Sequence, residues 1–230
     1  MAIMPIPPKI LACRTLPDAH EALLAAIGAP VALDPARHRA LGLVTCDQDD
    51  SLYAALDHAT KFADVDVVFA RSLYAGAAHA SGPFSGEILG ILAAAEPDSV
   101  EEGLQAVSTA LSTTICFYQP EGGGPAFFPH VIPELGRYLS AQAGLDPGAP
   151  MAYLIAPPLE ATIGLDAALK AADVRLVRHF PPPTETNFAG GYLTGALHEV
   201  EAAAAAFAAA VVDVAARPLD GLRLPAWRRR

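Results

Sequence analysis

Between residues 52 and 63, Leu52, Ala55, Leu56, Ala59, Phe62 and Ala63 recur at the i, i+3, i+4, i+7 spacing of a helix with one buried face. Asp49-Asp50-Ser51 precedes them and suits the positive end of the helix dipole. Ahead of this helix, Lys9–Cys13 and Leu41–Thr45 read as short strands, with a helix over Ala19–Ile27 between them. After it, Val65–Phe69 and Ile88–Leu92 read as strands. Ser99 is the expected cap of a further helix, with Glu101 and Glu102 in its first turn and Leu104, Val107 and Leu111 facing inward.

The remainder follows the same order. Ile115–Tyr118 reads as a strand, Pro120–Pro125 as a glycine-rich loop, and Val131–Ala143 as a helix with Leu135 and Leu139 inward. Ala152–Ala156 is the next strand. Leu165, Ala168, Leu169 and Ala172 mark a helix, Val174–Phe180 alternates like a half-buried strand, and Gly191–Leu197 is another. Glu199–Ala216 closes the series as a helix. Short stretches repeat as well as elements. Ala59-Thr60-Lys61-Phe62-Ala63-Asp64-Val65 returns as Ala168-Leu169-Lys170-Ala171-Ala172-Asp173-Val174, each with an Asp two residues upstream, Asp57 and Asp166. Gly86–Leu92 is echoed by Gly191–Leu197. Two matches in one order at nearly equal offsets indicate a duplicated unit. The expected fold is α+β: two domains, 1–113 and 114–218, each a small antiparallel or mixed sheet with packed helices. Residues 219–230 form a tail expected to be disordered.

Length agrees, since 230 residues suit two units of roughly 110. The chain is 53% hydrophobic and 17% charged with positive mean hydropathy. An alanine-rich composition and extra surface buried in an oligomer explain this equally well. A net charge of −10 argues against nucleic acid or an anionic membrane as partner. Three scattered cysteines without C-x-x-C spacing argue for a reducing compartment and against a zinc site or disulfide framework. Ala202–Ala216 is too short to span a bilayer and carries Asp213. No signal peptide is read in the Pro-rich start.

Two strand connections stand out: 71–82, carrying Arg71, Tyr74, Gly76 and His79, and 181–188, carrying Pro182, Thr184, Glu185, Thr186, Asn187 and Phe188. Equivalent loops of a pseudo-symmetric pair converge on one face or axis, suited to a pore or ligand site; from pattern alone ordinary turns are the favoured reading. Asp49-Asp50 suits a cation or amine as well as a helix start, and Glu87 is either a second anion or an edge charge. His79, His130, His179 and Glu160 lack the spacing of a metal motif. No nucleophile elbow or Walker loop occurs, which argues against an enzyme.

Longer motifs carry a family resemblance. Leu-Gly-Leu (41–43), Asp-Asp (49–50), Ala-Thr-Lys (59–61) and Arg71-Ser-Leu-Tyr-Ala-Gly-Ala-Ala-His79 stand in the first half. Pro150-Met-Ala-Tyr-Leu-Ile-Ala-Pro-Pro-Leu-Glu-Ala-Thr162, Asp166-Ala-Ala-Leu-Lys170, Pro181-Pro-Pro-Thr-Glu-Thr-Asn187 and Tyr192-Leu-Thr-Gly195 stand in the second. Over residues 9 to 218 the chain resembles the EutL family, L-type shell proteins of ethanolamine-utilisation microcompartments. The resemblance implies two tandem, circularly permuted microcompartment (BMC) domains, and a homotrimer of six-fold pseudo-symmetry that tiles shell facets with other shell proteins in the cytoplasm. It further implies a central pore gated by loops, lined from Tyr74, Gly76, His79, Pro182, Thr184 and Glu185. A small pore between the domains would bind ethanolamine through Asp49, Asp50, Glu87 and Phe117, with Arg71 and Thr186-Asn187-Phe188 nearby. No cofactor is required; an open form can bind zinc, with Glu160 as candidate ligand. The Pro120–Pro125 loop and the 219–230 tail depart from the family pattern. Two other readings remain: a cytosolic ligand-binding oligomer that never tiles, and a metal-dependent hydrolase using His79, His130 and Glu160.

Overall fold

The computed structural model describes residues 2–27, 33–73, 87–182 and 188–220. The first half runs β2 (Ile10–Leu16), α1 (Glu21–Ala26), β3 (Ala40–Cys46), α2 (Asp49–Phe62), β4 (Asp66–Leu73), β5 (Glu87–Ala94) and α3 (Pro97–Thr113). The second runs β7 (Phe128–Ile132), α4 (Arg137–Ala143), β8 (Met151–Ala156), α5 (Pro158–Ala171), β9 (Arg175–Phe180), β10 (Ala189–Thr194) and α6 (Leu197–Ala216). Each half forms one four-stranded antiparallel sheet, ordered β2-β3-β5-β4 and β7-β8-β10-β9. The two orders match element for element, so the repeat in the chain is a repeat in space.

A short ribbon ties the halves together. β1 (Ile3–Ile6) pairs antiparallel with β6 (Phe117–Pro120), which follows α3. The prolines at the start of the chain do not prevent β1, because Pro5 sits in a two-stranded ribbon where a missing N–H costs least. Four expectations need correction. Glu96, not Ser99, caps α3, and Pro97 occupies its first turn, where its absent N–H is harmless. The stretch 131–143 is not one helix: Val131 and Ile132 belong to β7, Pro133 ends the strand, and α4 starts only at Arg137. α5 begins at Pro158, earlier than its apolar spacing suggests. β9 lies at the sheet edge and is mostly exposed rather than half-buried.

The largest apolar cluster crosses the boundary between halves. Leu52, Leu56, Ile88 and Leu92 of the first half share it with Phe128, Leu135, Leu139 and Tyr153 of the second. A separate cluster of Leu154, Leu165, Leu193, Phe207 and Val211 packs α5 and α6 on the second sheet.

Polar contacts fix the angle between the halves. Asp57 of α2 is fully buried, and its carboxylate accepts from the backbone N–H of Gly136 and of Leu139, both at 2.7 Å. It thus caps α4 from the other half, satisfying amides that α4 leaves open. The Thr60 hydroxyl accepts from the Arg137 N–H at 3.0 Å, and the Arg137 guanidinium donates to the carbonyls of Thr60 and Val65. Lys61 Nζ donates to the Glu134 carbonyl at 2.8 Å. Position 136 must be glycine, because a Cβ there would lie 2.3 Å from the Asp57 carbonyl oxygen and 2.5 Å from Thr60 Oγ1.

Candidate functional site: an acidic and aromatic cluster between the halves

β3 ends at Cys46 and the chain turns at once into α2, so Asp49 and Asp50 occupy its first turn at one end of the first sheet. Gln48 anchors this turn. Its side-chain amide donates to the Ile6 carbonyl at 2.8 Å, while its Oε1 accepts from Ser51 Oγ and from the Phe117 N–H. The start of α2 is thereby fastened to the β1–β6 ribbon, and Phe117 is placed beside the acidic pair.

Asp50 is buried and accepts a short hydrogen bond from the Tyr153 hydroxyl of β8. Asp49 is half-buried and its Oδ1 accepts from the Asp50 N–H at 2.9 Å. Tyr153 stands opposite Tyr192 in the β8–β10 register, their rings edge to face at 4.7 Å. Burial raises both phenols well above their ordinary range, and the Asp50 charge adds to this. They therefore stay neutral, and Tyr153 acts as the donor toward the carboxylate. Phe128 meets Tyr153 edge-on at 5.4 Å and Phe117 at 5.0 Å, and Phe117 lies 6.1 Å from Phe188. A buried carboxylate with a phenol donor, a second acid beside it and a wall of aromatic faces suits a small cation carrying N–H donors.

The sequence-derived site residues distribute as follows. Asp49, Asp50, Phe117 and Phe188 converge here. Glu87 opens β5 one residue from Ile88, which pairs with Cys46, so its backbone lies at the same sheet end. Arg71 is exposed on β4, paired with Leu89, and Ser72 beside it receives the Tyr53 hydroxyl as acceptor for its N–H at 3.0 Å. Pro182 is exposed at the end of β9. Tyr74, Gly76 and His79, together with Thr184, Glu185, Thr186 and Asn187, lie outside the described residues. Glu160 sits half-buried in the first turn of α5. Among the described residues no three His, Cys, Asp or Glu side chains gather as a metal set, around Glu160 or elsewhere.

Sequence reading missed Tyr153, Tyr192, Gln48 and Phe128. The available signal was a tyrosine inside each of two otherwise apolar strands, since a buried phenol needs a partner. His130 lies beside Phe128 at 5.1 Å and joins no metal-type cluster among the described residues; burial pulls its imidazole down to about 4, with Lys61 and His58 adding repulsion. No helix among the described residues is long and apolar enough to cross a membrane.

No family model matches the chain. Individual relatives do. The microcompartment shell protein EutL of Salmonella typhimurium (strain LT2) is 44% identical over 216 residues, covering 94% of this chain and 96% of the relative. EutL of Clostridium perfringens (strain 13) is 50% identical over 188 residues, covering 81% of this chain and 86% of that one. The crystal structure of EutL from Clostridium perfringens superposes with a TM-score of 0.87 at 44% identity, covering 96% of this chain and 98% of the other. Identity at this level across both halves, with the same tandem fold, establishes that this chain belongs to the EutL family of bacterial microcompartment shell proteins, which are structural proteins and not enzymes.

Proposed function

We propose that this shell protein works as a homotrimer in a cytoplasmic microcompartment facet, tiling beside other shell proteins, and that each chain holds an ethanolamine-type amine between its two halves. The observation that carries the ligand reading is the buried Asp50 held by the Tyr153 hydroxyl, with Asp49 beside it and the Phe128, Phe117 and Phe188 rings in successive contact from Tyr153. A primary ammonium offers three N–H donors to the two carboxylates, an aromatic face adds cation–π attraction, and the small hydroxyl of an aminoalcohol suits a phenol partner. Glu87, Arg71 and the Thr186-Asn187 segment would complete the rim.

β4 pairs with β5 and β9 with β10 in matching positions, so the segments joining them leave equivalent ends of the two sheets. With three chains in a ring, six such segments surround one axis. Their differing sequences, with Tyr74, Gly76 and His79 in one and Pro182, Thr184 and Glu185 in the other, support a pore whose loops rearrange. Amine binding between the halves would favour the closed arrangement. Zinc in an open form would need ligands beyond Glu160.

Calorimetry with ethanolamine tests the ligand. Asp49→Asn should weaken binding by at least about tenfold, the loss of a charge-assisted hydrogen bond. Wild-type affinity in that variant would remove Asp49 from the site. Electron microscopy of purified protein tests tiling: flat hexagonal arrays are expected, and discrete particles under every condition would count against it.

A further inference from the structure

The outer faces of α3 and α6 differ although the two helices hold equivalent places in the two halves. They begin at Pro97 and Leu197, and Val100, Val107 and Leu111 of the first are buried like Val200, Phe207 and Val211 of the second. In that alignment the outward-facing Gln105, Ser108, Thr109 and Ser112 of α3 stand where α6 has Ala205, Ala208, Ala209 and Val212. α3 thus presents the polar face of a solvated helix, and α6 an apolar one.

A second wall turns that face into a groove. Ala2 and Ile3, at the start of β1, line it together with Ala208, Ala209, Val212 and Ala216 of α6, around an open volume of about 550 Å3. Organic groups are commonly seated in spaces of roughly 300–1,000 Å3. Ile3 is 39% exposed. Asp213 also borders the groove, paired with Arg217 one turn further on.

The chain itself supplies an occupant. α6 ends at Ala216, on the groove, and Arg217-Pro218-Leu219-Asp220 then closes a turn in which the Asp220 N–H donates to the Arg217 carbonyl at 3.1 Å. Arg217 pairs with both Asp213 and Asp220, which holds this turn against the helix. Such a turn reverses the chain direction, and Pro218 suits its second position. Residues 221–230 lie outside the described residues and read Gly-Leu-Arg-Leu-Pro-Ala-Trp-Arg-Arg-Arg. From Asp220 to Trp227 an extended chain reaches at most about 25 Å. The groove from Ala216 back to Ala208 needs only about 12 Å of helix. Charge favours the same course. Glu121 is exposed at the β1 end, where its N–H donates to the Ala2 carbonyl at 2.8 Å, and Glu201 is exposed on α6 beyond Ala209. Arg228-Arg229-Arg230 follows Trp227 directly.

We propose that residues 221–230 fold back over α6 of their own chain, with Leu224 and Trp227 seated between Ala209 and Ile3 and the three arginines on the acidic rim beyond. An aromatic side chain buries roughly 150–250 Å2. The short tether also gives the segment a local concentration of about millimolar, so modest contacts suffice. Neither the trimer nor the amine site is needed for this contact, since groove and tail belong to one chain. Residues 221–230 are then not the disordered tail that their sequence suggests.

Trp227 is the only tryptophan, so the emission of the full-length protein reports its position. That emission should be blue-shifted from that of the urea-unfolded chain, and acrylamide should quench it several-fold less. Ala209→Arg, at an exposed position, puts charge and bulk into the groove and should return both readings to the unfolded values. Thr109→Arg, at the matching position of α3, should change neither. Ala209→Cys with Ala226→Cys, oxidised, should link tail to groove within one chain, read from the peptide mass in the single-chain band, with native Cys13, Cys46 and Cys116 as background. Quenching of the folded wild type equal to that in urea overturns the proposal. Shielding that survives Ala209→Arg overturns it too, because Trp227 is then covered elsewhere. A link found only between chains gives the groove to the tail of a second copy and overturns self-docking, as does the absence of any link.

Discussion

Tyr153 donates its hydroxyl hydrogen bond to Asp50 across the boundary between the two halves, from the middle of one sheet to the first turn of a helix on the other. The tyrosine and the carboxylate are both buried. A carboxylate removed from water keeps its charge at neutral pH only when donors replace the lost hydration, and the phenol is one of them. Tyr153→Phe removes that donor while keeping the ring against Phe128 and Tyr192. The expected cost in urea denaturation is about 1–3 kcal/mol. Asp50→Asn combined with Tyr153→Phe should cost less than the sum of the single changes, because the second change removes a partner already lost. Additive costs would show that the pair does not act as a unit.

Asp57 and Gly136 form the second link across the boundary. Asp57→Ala leaves the N–H groups of Gly136 and Leu139 buried without acceptors, an expected loss of about 2–4 kcal/mol. Gly136→Ala should be no milder, since its Cβ meets backbone oxygen at 2.3 Å and the backbone cannot step aside as a flexible side chain would. Both variants are checked by the midpoint of thermal unfolding. A Gly136→Ala midpoint within a degree or two of wild type would mean that the seam yields readily.

Much of this arrangement was legible in the chain. The repeat signalled two sheets of matching strand order, and helical spacing over 52–63 located α2 with Asp49 and Asp50 in its first turn. Asp57 was also visible as a repeated residue, yet its partner lies 79 positions away, and periodicity carries no information about pairs so distant. β7 was misread because Leu135 and Leu139 are four apart like helix residues, although Leu135 precedes α4 and only Leu139 lies in it. Tyr153 sits in a strand buried at every position, where alternation cannot reveal which face meets the acid. The loops carrying Tyr74, His79, Thr184 and Glu185 differ between halves, so the repeat that located the scaffold says least about them.

The three thiols should differ in reactivity. Cys46 is fully buried, and burial pushes its thiol up to about 12, leaving almost no thiolate at pH 8. Cys13 and Cys116 are half-buried and also raised, Cys116 with a Tyr118 hydrogen bond that partly offsets the effect. Iodoacetamide on the native protein should therefore label Cys13 and Cys116 slowly and Cys46 last, read by mass spectrometry of peptides. Early labelling of Cys46 would show that the β3 end opens on the labelling timescale.

Acid should loosen the boundary between the halves through His130. Its imidazole is depressed to about 4 by burial first, then by Lys61 and His58 on the facing helix α2. In the unfolded chain a histidine binds its proton near pH 6.5. Between these values the unfolded chain holds the extra proton, so stability is lost as pH falls from about 6.5 toward 4. The slope should stay below about 1.4 kcal/mol per pH unit, because the side chain keeps some contact with water. Asp57 works in the opposite direction: burial raises its carboxyl despite the Leu139 and Gly136 amides, so its contribution is present at low pH and lost as pH rises through its folded value. His58, also depressed by burial and by Lys61, adds to the loss that His130 produces. Urea midpoints of wild type and His130→Gln, taken from pH 7 to 4.5, separate these effects. The variant should lose less stability than wild type over that range; equal losses would show that His130 is charged or exposed in the folded protein.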